Sequence, residues 1–124
     1  MTIIEANETN IEELTELGLA LWPDNERDEL YASFQEEMTL DKHKFYLAIM
    51  DGTYIAFIHL SIRSDYVEGS TTSPVGYVEG IYVRSEYRRS GVAKKLIEAG
   101  EEWLKSKGCS EIGSDIEYDN TTSY

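Results

Sequence analysis

Cysteine, histidine, basic residues and long apolar runs are all scarce in this chain, and each scarcity removes a class of explanation. One cysteine, Cys109, in 124 residues leaves no intramolecular disulfide, and its place between Gly108 and a short predicted strand marks it as a buried thiol rather than a reactive one. The two histidines, His43 and His59, have no partner at ligand or triad spacing, so neither is assigned chemistry and no metal is expected. No apolar stretch approaches the roughly 20 residues that span a bilayer. The start, Met1-Thr2-Ile3-Ile4-Glu5, lacks the basic and apolar stretches of a secretory signal, so the expected location is the cytoplasm. Eleven Lys and Arg stand against 24 Asp and Glu, a net charge of −13. That surface argues against nucleic acid or an acidic membrane as partner and favours a cationic ligand. Repeats, low-complexity tracts and linkers are absent too, so residues 1–124 are expected to form a single domain, burying somewhat under about 70% of the unfolded surface.

What base there is lies in one place. Seven of the eleven cationic residues fall between Arg84 and Lys107, and Arg84 to Ile97 carries five of them against the single acid Glu86. The centre of this island is Arg88-Arg89-Ser90-Gly91-Val92-Ala93, which joins an apolar strand, Val75 to Val83, to an amphipathic helix starting near Gly91. A helix start leaves about four N–H groups without intrahelical partners, and the aligned peptide dipoles place roughly half a positive charge there. Gly91 allows close approach of a ligand, Ala93 keeps the first turn thin, and Arg88, Arg89, Lys94 and Lys95 add charge. The junction is suited to phosphate, although an Arg-x-x-Gly-x-Ala pattern also fits an ordinary strand-to-helix turn with solvated arginines.

Periodicity predicts alternating strands and helices. Met1 to Ala6 is a short first strand. Asn10, with Glu13 three residues on, is a capping box opening a helix whose apolar face is Ile11, Leu14, Leu17, Gly18 and Leu21. After Trp22-Pro23, Leu30, Phe34 and Met38 recur at helical spacing within an acidic stretch from Asp24 to Met38. Phe45 to Met50 and Thr53 to Arg63 are strands joined by a two-residue turn at Asp51-Gly52. A polar loop, Ser64 to Pro74, leads to the strand Val75 to Val83. The long helix buries Val92, Leu96, Ile97, Gly100, Trp103 and Leu104 and stops at Gly108, and a last strand covers Ile112 to Ile116. Asp119-Asn120-Thr121-Thr122 has the character of a further helix start, so the fold is expected to be incomplete at its C-terminal end.

The run of strand, Arg88-x-x-Gly91-x-Ala93, amphipathic helix, Gly108-Cys109 and strand resembles the central acetyl-coenzyme A motif of the GCN5-related N-acetyltransferases (GNAT). Leu21-Trp22-Pro23, Ser61-Ile62-Arg63-Ser64-Asp65-Tyr66-Val67, Ser73-Pro74-Val75, Glu79-Gly80-Ile81-Tyr82-Val83, Gly91-Val92-Ala93-Lys94-Lys95-Leu96-Ile97 and Ser114-Asp115 with Asn120-Thr121 make it most similar to the aminoglycoside 6'-N-acetyltransferases within that superfamily. The resemblance covers essentially the whole chain. It implies an α/β (α+β) GNAT fold, a mixed central sheet flanked by helices, truncated at the C-terminus. It implies acetyl-coenzyme A as co-substrate, with the pantetheine arm along the backbone of Ile81, Tyr82 and Val83. The pyrophosphate would sit on Arg89, Ser90, Gly91, Val92, Ala93 and Lys94, and Arg88 or Arg89 would reach the 3'-phosphate.

For the acceptor, the resemblance points to Trp22, Tyr66, Glu79 and Asp115. A polyammonium drug needs carboxylates to hold it, and Glu79 or Asp115 could also take a proton from the attacking amine. Without the resemblance, Glu79 is equally a surface carboxylate at a strand end, Asp115 a turn residue, and Trp22 a plug at the core edge. Tyr66, in a loop, suits stacking on a sugar ring. Glu26, Asp28, Glu29, Glu36, Glu37 and Asp41 are expected to act through their summed field rather than by contact. Family members continue past the equivalent of Asn120 with a helix and a hairpin that close the cleft, and no general acid is nominated here, Tyr118 and Tyr124 being poor substitutes. An open edge at the last strand makes a homodimer the expected assembly. Three readings remain open: acetylation of an aminoglycoside 6'-amine, acetylation of a polyamine or other small cationic amine, and a non-catalytic domain that binds coenzyme or drug.

Overall fold

The computed structural model describes residues 1–63, 74–109 and 112–114, the last three as backbone. In chain order the elements are β1 (Thr2–Glu5), α1 (Ile11–Leu21), α2 (Arg27–Glu37), β2 (His43–Met50), β3 (Thr53–Arg63), β4 (Val75–Val83), α3 (Val92–Ser106) and β5 (Ile112–Ser114). The described strands form one sheet in the order β1-β2-β3-β4-β5. The first three pairings are antiparallel and β4 to β5 is parallel, which is the mixed sheet flanked by helices that the resemblance implies.

Burial explains the layering. β3 is central and buried from Ile55 to Ser61, with alternate side chains serving opposite faces. Phe57 joins Phe45, Leu47, Leu14, Leu17, Leu30 and Phe34 under α1 and α2. Ile58 and Leu60 join Val78, Leu96, Trp103 and Leu104 under α3. Cys109 is buried as expected, and burial raises its thiol pKa. Among the described residues no helix is long and apolar enough to cross a membrane.

Local chemistry accounts for most boundaries. Asp51 and Gly52 both take positive φ, 51° and 79°, as a two-residue turn matched to strand twist requires, and Met50 faces Thr53 across it. Two expectations are corrected. The capping box is formed by Asn7 and Asn10, not by Asn10 and Glu13: the Asn7 side chain accepts from the Thr9 N–H at 2.8 Å, and the Asn7 N–H donates to Asn10 Oδ1 at 2.8 Å. The chain enters α1 through a short 3-10 turn, Glu8–Asn10, which consumes the Asn10 side chain one turn before the α-helix begins. The second helix starts at Arg27 rather than Asp24, because the Asn25 N–H and side-chain amide both donate to the Trp22 carbonyl and close a turn after Pro23. The predicted last strand is described as far as Ser114.

Candidate active site

The register between β3 and β4 slips by one residue: His59 faces Gly80, while Leu60 faces Val78. Glu79 is therefore an extra, unpaired residue on β4, a β-bulge that re-aims its side chain. Its carboxylate accepts from the Ser61 hydroxyl and from Arg63, whose Nη2 lies 3.1 and 3.3 Å from the two oxygens. Partial burial works against its charge, but the Ser61 hydrogen bond, the Arg63 hydrogen bond and the Arg63 charge together hold its pKa below the ordinary carboxylate value. Glu79 is thus ionised at neutral pH. The Arg63 guanidinium is itself stacked 3.8 Å over the Tyr77 ring.

Trp22 closes α1, its N–H donating to the Gly18 carbonyl at 2.8 Å. The indole packs edge-on to Phe57 with ring centroids 5.9 Å apart, and it lies against β4 where that strand carries Gly80. Trp22 therefore packs at the core edge and also lines a cleft.

That cleft measures about 370 Å³, and its lining joins Trp22 and Glu79 to Glu37, His43 and His59. Glu37 lines the cleft, and the histidines, to which sequence spacing gave no partner, do have partners. His43 Nδ1 lies 3.0 Å from His59 Nε2 and 3.8 Å from Glu37 Oε2. His59 is stacked on Phe45 with centroids 4.1 Å apart; burial, then the neighbouring His43, pushes its pKa down to about 3 against an opposing pull from Glu79. Burial lowers the pKa of His43 as well. Burial and the Glu79 charge raise that of Glu37. Simple hairpin counting from the Asp51-Gly52 turn places His43 and His59 on opposite faces of the sheet. An extra residue, Ile55, between the pairs Ala48–Ala56 and Ile49–Tyr54 shifts the register so that His43 faces Ser61, and the two rings then share a face. No composition signal announces that bulge.

At the other end of β4 the chain turns into the basic junction. Arg88 is extended, while Arg89 and Gly91 take left-handed φ of 65° and 84°. Alternation of this kind turns successive N–H groups toward one concavity. Gly91 caps α3 without a side chain, no acid lies in the first turn, and the helical ladder opens with the Lys95 N–H donating to the Gly91 carbonyl at 3.1 Å. The N–H groups of Val92, Ala93 and Lys94 precede that bond, while the side chains of Val92 and Ala93 are buried and anchor the turn. Arg88 Nε donates to the Val83 carbonyl at 2.8 Å, and its guanidinium lies 5.6 Å from the Tyr82 ring centre. This ties the junction to the end of β4. Ser90 donates its hydroxyl to the Tyr87 carbonyl.

Ile81, Tyr82 and Val83 pair with β3 on one side. On the other, β5 pairs with Gly76, Tyr77 and Val78, so among the described residues no strand lies against Glu79 to Val83. An extended ligand would find backbone groups there and anion-binding N–H groups beyond. Ser114 faces Val78, next to Glu79; Asp115 and Tyr66 lie outside the described residues.

Comparisons with known proteins match the fold over almost the whole chain. Residues 11–124 match the model of the Acetyltransferase (GNAT) family. The chain is 41% identical over 123 residues to the aminoglycoside N(6')-acetyltransferase type 1 of Salmonella enteritidis, covering 99% of this chain and 85% of that one. The crystal structure of apo aminoglycoside antibiotic 6'-N-acetyltransferase AAC(6')-IG from Acinetobacter haemolyticus superposes with a TM-score of 0.87 at 38% identity, covering 98% of this chain and 83% of that one. AAC(6')-Iy in complex with the bisubstrate analogue CoA-S-monomethyl-acetylneamine gives a TM-score of 0.86 at 40% identity over 97% of this chain and 82% of that one.

Proposed function

The chain belongs to the GNAT acetyltransferase family, and from that membership we propose that it transfers acetyl from acetyl-coenzyme A to the 6'-amine of an aminoglycoside. The observation that carries the acceptor assignment is the bulged, ionised Glu79 beside Trp22 in a cleft that also holds Glu37. A polyammonium ligand is matched there by carboxylates against an aromatic wall, and the net charge of −13 attracts it from solution.

Acetyl-coenzyme A supplies an activated thioester: the amine nitrogen bonds to the carbonyl carbon, the C–S bond breaks, and coenzyme A leaves as a thiolate that takes a proton from solvent to end as the free thiol. The backbone of Ile81, Tyr82 and Val83 aligns its extended arm, and the N–H groups from Arg89 to Lys94, with Arg88 and Arg89, hold its phosphates. Trp22, Tyr66, Glu79 and Asp115 hold the drug, with Glu37 as a further carboxylate. Glu79 pairs with the incoming ammonium, which sheds one proton to become the attacking amine, and takes up a proton from that nitrogen, directly or through water, in the course of the transfer. A carboxylate held ionised is a weak base, so orientation of the amine is its larger contribution. We assign the working enzyme to a cytoplasmic homodimer of single-domain chains, the lone cysteine being suited to a reducing compartment.

Thiol release from acetyl-coenzyme A tests the reading, with a kanamycin-type drug and spermidine as parallel acceptors. Drug-dependent release is expected. Release with spermidine alone would move the acceptor to polyamines, and none with either acceptor from a folded chain would overturn the catalytic reading.

A further inference from the structure

The acceptor cleft also holds a cluster of metal-ligand type, two members of which, His43 and His59, have no part in the acetyl transfer proposed above. Glu37 at the end of α2, His43 at the start of β2 and His59 in the middle of β3 each present one ligand atom, and these atoms all lie within 4.8 Å of one another. Two nitrogens bound to one tetrahedral Zn²⁺ at roughly 2.0–2.1 Å stand about 3.3 Å apart. His43 Nδ1 and His59 Nε2 are 3.0 Å apart as a hydrogen-bonded pair, so the separation is within a few tenths of an ångström of that span, and a rotation of the His43 ring would turn the two nitrogens from each other toward a shared ion. The Glu37 carboxylate, 3.8 Å from His43 Nδ1, needs only a side-chain rotation to complete a third ligand.

The supports are rigid. The His59 ring is stacked on Phe45 and edge-on to Phe34, and both histidines stand on paired strands. The fourth side of the cluster opens into the cleft, leaving a position for water. Two imidazoles and a carboxylate form a donor set suited to Zn²⁺ rather than to Mg²⁺ or Ca²⁺, which take oxygen. We propose that Glu37, His43 and His59 form a Zn²⁺-binding site in the wall of the acceptor cleft. It is not a cofactor site for acetyl transfer. On the acceptor assignment made above, an ion bound there would add positive charge where a cationic substrate enters.

Binding is measured without acceptor or coenzyme, so its outcome is independent of the catalytic reading. The chelator-stripped chain is titrated with Zn²⁺ by calorimetry and with Co²⁺ by visible absorption. One equivalent per chain is expected, with the intense bands of tetrahedral Co²⁺. Loss of an outer partner typically weakens a metal site roughly 10–100-fold, so His43→Gln, which removes a ligand outright, should weaken binding by at least about a hundredfold. Glu37→Gln, which keeps the side-chain shape, should weaken it as well, and circular dichroism checks that both variants fold. Absence of saturable one-equivalent binding would overturn the site and leave the rings as a hydrogen-bonded pair. Binding that both variants retain unchanged would overturn it equally.

Discussion

The indole of Trp22 occupies the space that a side chain at residue 80 would need: a Cβ built on Gly80 would lie 2.4 Å from Trp22 Cζ2. Gly80 is thus required by close approach rather than by backbone conformation. Gly80→Ala should displace the ring and destabilise the fold by roughly 1–3 kcal/mol, the usual cost of overpacking. Denaturant unfolding and tryptophan emission would report it, and the KM for acceptor should rise. Unaltered stability and emission would show that the indole does not rest on β4.

Gly91 makes the opposite case. Nothing lies within 4 Å of where its Cβ would be, but its φ is 84°, so Gly91→Ala meets only the left-handed penalty of about 1–2 kcal/mol. Relief of that strain would turn N–H groups away from the concavity at the start of α3. The KM for acetyl-coenzyme A should increase while that for acceptor stays close to its original value, a split that steady-state kinetics resolves.

Glu79→Gln keeps the side-chain size and an oxygen for the Ser61 hydroxyl while removing the charge. With Glu79 orienting the amine and taking its proton, acceptor kcat/KM should fall by roughly 10²–10⁴, with coenzyme binding preserved in direct titration. A loss below tenfold would assign the carboxylate to structure rather than to the reaction.

His59 gives the fold an acid limit. Its folded-state pKa is lowered to about 3, whereas the unfolded ring titrates near the ordinary value of about 6.5. Between those values the unfolded chain binds a proton that the folded chain refuses, so stability is lost as pH falls from about 6.5 toward 3, at up to about 1.4 kcal/mol per pH unit. In chelator-treated protein, His59→Phe should flatten this slope, because the new ring can keep the stack on Phe45 without titrating. Melting temperature against pH is the measurement, and an unchanged slope would remove His59 as its cause. The depressed Glu79 carboxylate adds stability above its unfolded pKa that is lost as pH falls through its folded value.

Local chemistry made much of this protein legible from its residues. The Asp51-Gly52 turn, the apolar stripe of α3 and the glycine-led helix start depend on neighbours a few positions apart, so spacing alone locates them. The resemblance to the acetyltransferases rests on the same short-range signals, and the phosphate-binding junction is backbone chemistry that a short motif can carry.

What required the tertiary structure were the two β-bulges and what they bring together. A slip of one residue reverses the faces of every later side chain on a strand, and nothing in a linear pattern announces it. The bulge in β4 sends Glu79 to Ser61 and Arg63, and the irregularity near Ile55 brings His43 beside His59. Glu37 arrives from a separate helix. Residues 37, 43, 59 and 79 are therefore scattered acids and imidazoles along the chain, and they become one cleft because strand register and helix packing are decided by contacts far apart in sequence.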